Sequence, residues 1–167
     1  EIVDKIGNIT IKLFNQNRIG TVMKHIPGHG LSTKDTHLKL PHISKSIHYL
    51  KKNDFLLFRN KNSMFAMTAH IVFDKLDEIE CVTQSKKCIN YIREKIGFKN
   101  IVISDDISMK ALKYSFNENI KKAYSAGCNL VLHCNANLKE MNELAKISPN
   151  LDSFTIKKTS EFYKLLS

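Results

Sequence analysis

Four short apolar runs recur at residues 20–25, 63–70, 100–105 and 129–134, about thirty to forty residues apart, with a segment of helical length after each. No charged residue interrupts their interiors, so they read as strands of a parallel sheet buried on both faces. The intervening amphipathic segments are 43–51 (Ile43, Ile47, Leu50), 83–96 (Cys88, Ile89, Ile92, Ile96) and 110–126 (Leu112, Tyr114, Ile120, Ala123, Tyr124). Residues 138–147 and 153–166 supply helical material after the fourth run. This alternation predicts β-α units with right-handed crossovers, and Gly97 and Gly127 are placed to close the helices ahead of the third and fourth strands.

A chain of 167 residues with 43% hydrophobic content supports one domain, and no linker or low-complexity tract divides it. Residues 1–16 run straight into apolar, periodic sequence without a cap or leader, as though the chain opens inside a longer fold. The formal charge of +10 comes from lysines scattered along the chain, in pairs at most and not interleaved with stacking aromatics, which argues against nucleic acid as a partner. Cys81, Cys88, Cys128 and Cys134 lack the spacing of a zinc or redox site, and Cys128 and Cys134, bracketing an apolar run, read as small buried hydrophobes. No run approaches the roughly twenty apolar residues of a membrane helix, so the expected location is the cytoplasm, with no membrane partner.

The strand ends carry the polar groups: Lys24 and His25; Thr68 and His70; Ser104, Asp105 and Asp106; His133, Cys134 and Asn135. Such clustering at C-terminal strand ends builds a concave polar site. The densest stretch is Lys24-His25-Ile26-Pro27-Gly28-His29-Gly30, followed within a short loop by Asp35-Thr36-His37. Its proline and glycines suit irregular, close-approaching backbone. An Asp105 carboxylate leaving an apolar strand is costly unless a pocket uses it, whereas Asp106 is placed to cap the next helix. One carboxylate opposite a His/Asp pair fits double-displacement sugar transfer. His29 is read as a loop anchor or a sugar contact, and His70 as a pocket border or a satisfied buried histidine. His42 and His48 are expected at the surface. The spacing of His25, His29 and His37 matches no common zinc helix, so no metal is expected.

Five motifs in order, Lys24-His-Ile-Pro-Gly-His-Gly30, Asp35-Thr-His37 leading to Pro41, Ala66-Met-Thr-Ala-His-Ile71, Ile103-Ser-Asp-Asp-Ile-Ser-Met-Lys-Ala-Leu112 and Ala126-Gly-Cys-Asn-Leu-Val-Leu132, span roughly residues 18–135. Together they make the chain resemble the bacterial β-N-acetylhexosaminidases of glycoside hydrolase family 3, cytoplasmic enzymes that trim N-acetylglucosamine from peptidoglycan fragments. The resemblance implies an α/β fold equivalent to strands five to eight of a TIM (β/α)8 barrel, with parallel strands and crossover helices. It further implies Asp105 as the nucleophile of a covalent glycosyl-enzyme intermediate, His37 as acid/base on a mobile loop and Asp35 as the group that orients His37. Lys24 and His25 then match positions that hold sugar hydroxyls, the substrate is an amino-sugar oligosaccharide derived from peptidoglycan, and no cofactor is needed. A histidine with a pKa near 6.5 can protonate a departing oxygen and then deprotonate water.

Nothing here corresponds to the family's first four strands, which carry an aspartate and an arginine for the terminal sugar. Residues 1–167 therefore read as a single incomplete barrel domain of the family's N-terminal type. The connection after His70, residues 74–80, is shorter than in relatives, Leu31 stands where the loop is often polar, and Thr36 stands where serine is usual. Four β-α units cannot close a barrel, because the first and last strands each leave an open edge. The expectation is a half enzyme, inactive alone, that needs a missing N-terminal half, which a separate half-barrel polypeptide could supply. The alternative is an inactive remnant acting as a binding or assembly module. Hydrolysis and transfer to another acceptor stay open.

Overall fold

The computed structural model describes residues 2–32 and 39–167. In chain order its strands are β1 (Val22–Ile26), β2 (His42–Ile43), β3 (Phe65–Thr68), β4 (Val72–Phe73), β5 (Ile101–Asp106) and β6 (Leu130–Leu132). The four strands expected from the apolar runs form one parallel sheet in the order β1-β3-β5-β6, and β2 and β4 make a separate parallel pair. This is the sequential order that β-α units generate when each helix carries the chain to the neighbouring strand.

The helices are α1 (Ile2–Gln16), α2 (Ile47–Asn53), α3 (Lys86–Tyr91), α4 (Phe116–Ala126), α5 (Leu138–Ile147) and α6 (Ser153–Leu166). Three start later than the periodicity predicts, and in each case a serine sets the start. Ser46 accepts from the Tyr49 amide, Ser85 from Cys88, and Ser115 from Glu118, whose carboxylate returns the bond as a capping box. The third helix consequently spans 116–126 rather than 110–126, and residues Val82–Gln84 form a separate 3-10 turn. After α3 the chain passes into a π-helical turn, Ile92–Ile96. Gly97 and Gly127 end their helices as expected, at φ values of 84° and 114° that suit glycine. Asp106 caps no helix; its Oδ1 instead accepts from the amide and hydroxyl of Ser108 in the turn after β5.

Side chains alternate along the sheet. Ala66 and Val102 join the hydrophobic core with Leu50, Phe55, Cys88, Ile89, Ile92, Ile120 and Ala123 from the helical layer. Phe65, Met67 and Ile103, at the alternate positions, are only partly buried. Near the strand starts, α6 packs Phe162 edge-on against Phe65 at 4.9 Å and against Gly20, where a Cβ would meet the ring at 2.2 Å. The edges of β1 and β6 have no neighbouring strand among the described residues. Helix α1 buries none of its residues and exposes a stripe of Ile2, Ile6, Ile9 and Leu13. Cys128 is buried as expected, but Cys134 is exposed, because the chain has left the sheet at Leu132. Among the described residues, no helix is long and apolar enough to cross a membrane.

Candidate active site

The sheet loses its regular register at two places, between Lys24 and Ile26 in β1 and between Ile103 and Asp106 in β5. His25 lies in the first irregularity, and Ser104 and Asp105 lie in the second. A bulge of this kind leaves residues out of the ladder and re-aims their side chains. Ser104 repairs part of the gap, its hydroxyl accepting from the Leu132 amide at 2.9 Å in place of a backbone carbonyl. The Ala69 amide donates to the Ile26 carbonyl at 3.0 Å and closes the end of β1. Both the Lys24-His25 and the Ile26-Pro27 peptide bonds are cis.

From these two irregular positions His25 and Asp105 approach one another. Asp105 Oδ1 accepts from the Asp106 amide at 2.8 Å, and Oδ2 lies 3.5 Å from His25 Nε2, a charge contact longer than a good hydrogen bond. Burial lowers the pKa of His25, while the Asp105 charge opposes that and the charges of His29, Lys24 and His70 add to it. The imidazole is thereby biased toward its neutral form. His29 packs beside it, with ring centroids 5.2 Å apart. Lys24, His25 and His29 line a groove of about 810 Å³ that runs along β1 beside α1.

His70 is 1% exposed, so it does not border an open pocket; the satisfied, buried reading holds. Its Nδ1 meets the Thr83 hydroxyl at 2.8 Å and its Nε2 meets the Asp106 carbonyl at 3.0 Å, and burial lowers its pKa. With Nε2 as the donor, this histidine props the backbone that carries Asp105. Asp106 works in the same direction, its Oδ1 taking the Cys134 amide at 3.2 Å and tying the end of β5 to the chain after β6. The expected acid/base His37 and its orienter Asp35 lie outside the described residues. Among the described residues, no cluster of His, Cys, Asp or Glu could hold a metal ion.

Asp54, at the C-terminal end of α2, is absent from the sequence reading, yet its carboxyl lies against Gly28 and accepts from the Gly30 amide. Its sequence context, Lys51-Lys52-Asn53 followed by Phe55, is that of an ordinary helix end. Gly28 signals that something approaches the backbone there, without saying what.

The family model for the Glycosyl hydrolase family 3 N terminal domain matches residues 1–160. The chain belongs to glycoside hydrolase family 3. A beta-hexosaminidase of Photobacterium profundum is 31% identical over 172 residues, covering 97% of this chain and 51% of that protein. Of solved structures, NagZ from Neisseria gonorrhoeae in complex with N-trifluoroacetyl-D-glucosamine matches with a TM-score of 0.72 and 28% identity, over 86% of this chain and 42% of that one. The family 3 β-N-acetylglucosaminidase of Paenibacillus sp. str. FPU-7 shares the fold at a TM-score of 0.84 and 22% identity, over 97% of this chain and 33% of that one. This family 3 chain thus spans about half the length of the Photobacterium relative. Its homologues are glycosidases by name, and its α/β fold is that of the family's N-terminal TIM-barrel domain.

Proposed function

We propose that this chain forms strands five to eight of a family 3 barrel and carries the catalytic side of a retaining β-N-acetylhexosaminidase. In this reading Asp105 Oδ2, the carboxylate oxygen left over after Oδ1 takes the Asp106 amide, attacks the anomeric carbon and forms a glycosyl-Asp intermediate. His37, oriented by Asp35, protonates the leaving oxygen and then removes a proton from the attacking water. Lys24 and His25 bind hydroxyls of the terminal N-acetylglucosamine, and His29 closes the same side of the site. An amino-sugar substrate is supported by the ligand named in the gonococcal complex and by the names of the relatives, and the cell-wall origin of that substrate follows from the family resemblance alone.

The observation that carries the reading is the convergence of His25 and Asp105, each from its own irregularity in the sheet, at 3.5 Å. A sheet needs no such arrangement for stability. The open edges of β1 and β6 and the bare apolar stripe of α1 support completion of the barrel by four further β/α units, from the same longer polypeptide or from a separate one. The test is turnover of an aryl N-acetyl-β-glucosaminide by the chain alone and by the chain co-expressed with the N-terminal half of the Photobacterium relative. Turnover is expected only in the complemented sample. A folded, complemented barrel that binds N-acetylglucosamine without cleaving the substrate would favour a non-catalytic sugar-binding role instead.

A further inference from the structure

The turn that carries His25 is held from beneath by Asp54. That residue is 7% exposed and ends α2, far from β1 in sequence but in contact with its continuation. A Cβ at Gly28 would fall 2.3 Å from both Cγ and Oδ2 of Asp54, so only glycine lets the carboxyl reach the backbone here. Burial raises the pKa of Asp54, and the bond that it accepts from the Gly30 amide and the nearby His29 charge offset this only in part. Among the described residues, Oδ2 has no hydrogen-bond partner. A buried, half-satisfied carboxylate costs stability, and an apolar residue would fill the space without that cost. What an apolar residue cannot supply is the acceptor for Gly30.

We propose that Asp54 is a positioning residue, docking the Pro27-Gly28-His29-Gly30 turn and through it setting His25 against Asp105. The mechanical path is short. Gly28 and Gly30 sit on the carboxyl, Ile26 is fully buried and pinned by the Ala69 amide, and His25 is the next residue back along the chain. Without the dock, the turn loses its support beneath Gly28 and Gly30, and the 3.5 Å approach of His25 to Asp105 is lost. The catalytic meaning of this dock rests on the glycosidase reading, but its geometry does not.

The test is the titration of His25, followed by NMR of histidine-labelled full chain, with and without Asp105→Asn. The other charges facing His25 are those of His29, Lys24 and His70, and because Asp105 also acts on His70 and Asp54 on His29, the labelled His29 and His70 resonances are followed in the same titration. In the parent chain, Asp105→Asn is expected to move the His25 midpoint downward, because it removes the one charge that raises it. In Asp54→Ala and in Gly28→Ala that displacement is expected to fall by about half or more, since the field of a charge weakens as the pair separates. Asp54→Asn, which keeps an acceptor for Gly30 and the same shape, is expected to retain it and serves as the reference if the other two variants do not fold. A melting point lowered by Asp54→Ala with the displacement intact would make Asp54 merely structural, and loss of the displacement in Asp54→Asn would equally overturn the dock. Adding N-acetyl-D-glucosamine to the complemented barrel separates the two readings: an unperturbed His25 there counts against sugar binding and leaves the docking measurement standing.

Discussion

His25 Nε2 stands 3.5 Å from Asp105 Oδ2, although β3 lies between their strands in the sheet. Both residues lie where their strands depart from regular register. Their backbones are two strand spacings, about 10 Å, apart, so it is the side chains that close the gap over β3. The contact and the scaffold that holds it have four chemical consequences that can be measured.

Replacement of the carboxylate comes first. In a barrel complemented as above, Asp105→Ala is expected to lower kcat by about a thousandfold or more, because on the proposed reading it removes the nucleophile. Steady-state kinetics on the aryl glycoside checks this, and substantial residual turnover would sink the nucleophile assignment.

The buried His70 links stability to pH. Burial holds its folded-state pKa below the ordinary 6.5, so the unfolded chain takes up the proton first as the medium is acidified. Its contribution is complete above pH 6.5 and is lost as pH falls from there toward the lowered folded-state value. Urea melts between pH 8 and about 5 are expected to show stability falling below pH 6.5, with a shallower decline in His70→Asn; equal slopes would contradict the assignment.

Gly97 and Gly127 separate backbone strain from collision. Both have positive φ, but a Cβ at Gly97 meets nothing within 4 Å, whereas one at Gly127 lies 3.0 Å from Ile89 Cγ2. Gly97→Ala should cost about 1 kcal/mol through strain alone, and Gly127→Ala should cost more. Chemical denaturation of the two variants gives the order, and the reverse order is the excluded result.

Four thiols differ sharply in environment. Burial pushes Cys81 and Cys128 up to about 12 and Cys88 up to about 11, while Cys134 is exposed. An alkylating reagent at pH 8 is therefore expected to label Cys134 in the native chain and the other three only after unfolding, as read by intact-mass analysis. Native labelling of Cys128 would show that the core opens.

Much of this is legible in the sequence, for identifiable reasons. The strand-helix alternation depends on hydrophobic period, and Gly97 and Gly127 mark helix ends because few other residues adopt their backbone angles. The start of α4 departs from the expected position because Leu112 and Tyr114 continue the apolar period through a turn; the local bond between Ser115 and Glu118 decides where helix begins. Cys134 departs from its expected burial because burial depends on where the chain leaves the sheet, not on the apolar run that precedes it.

The sequence by itself determined that Lys24 and His25 fall at the end of one strand and Asp105 and Asp106 at the end of another, because residue type and hydrophobic period are local properties. Only the tertiary structure decided that His25 reaches Asp105, that His70 is buried against the Asp106 carbonyl rather than lining a pocket, and that the Asp54 carboxyl lies against Gly28. Those relationships depend on strand register and on contacts between residues tens of positions apart, and neither leaves a mark on local composition.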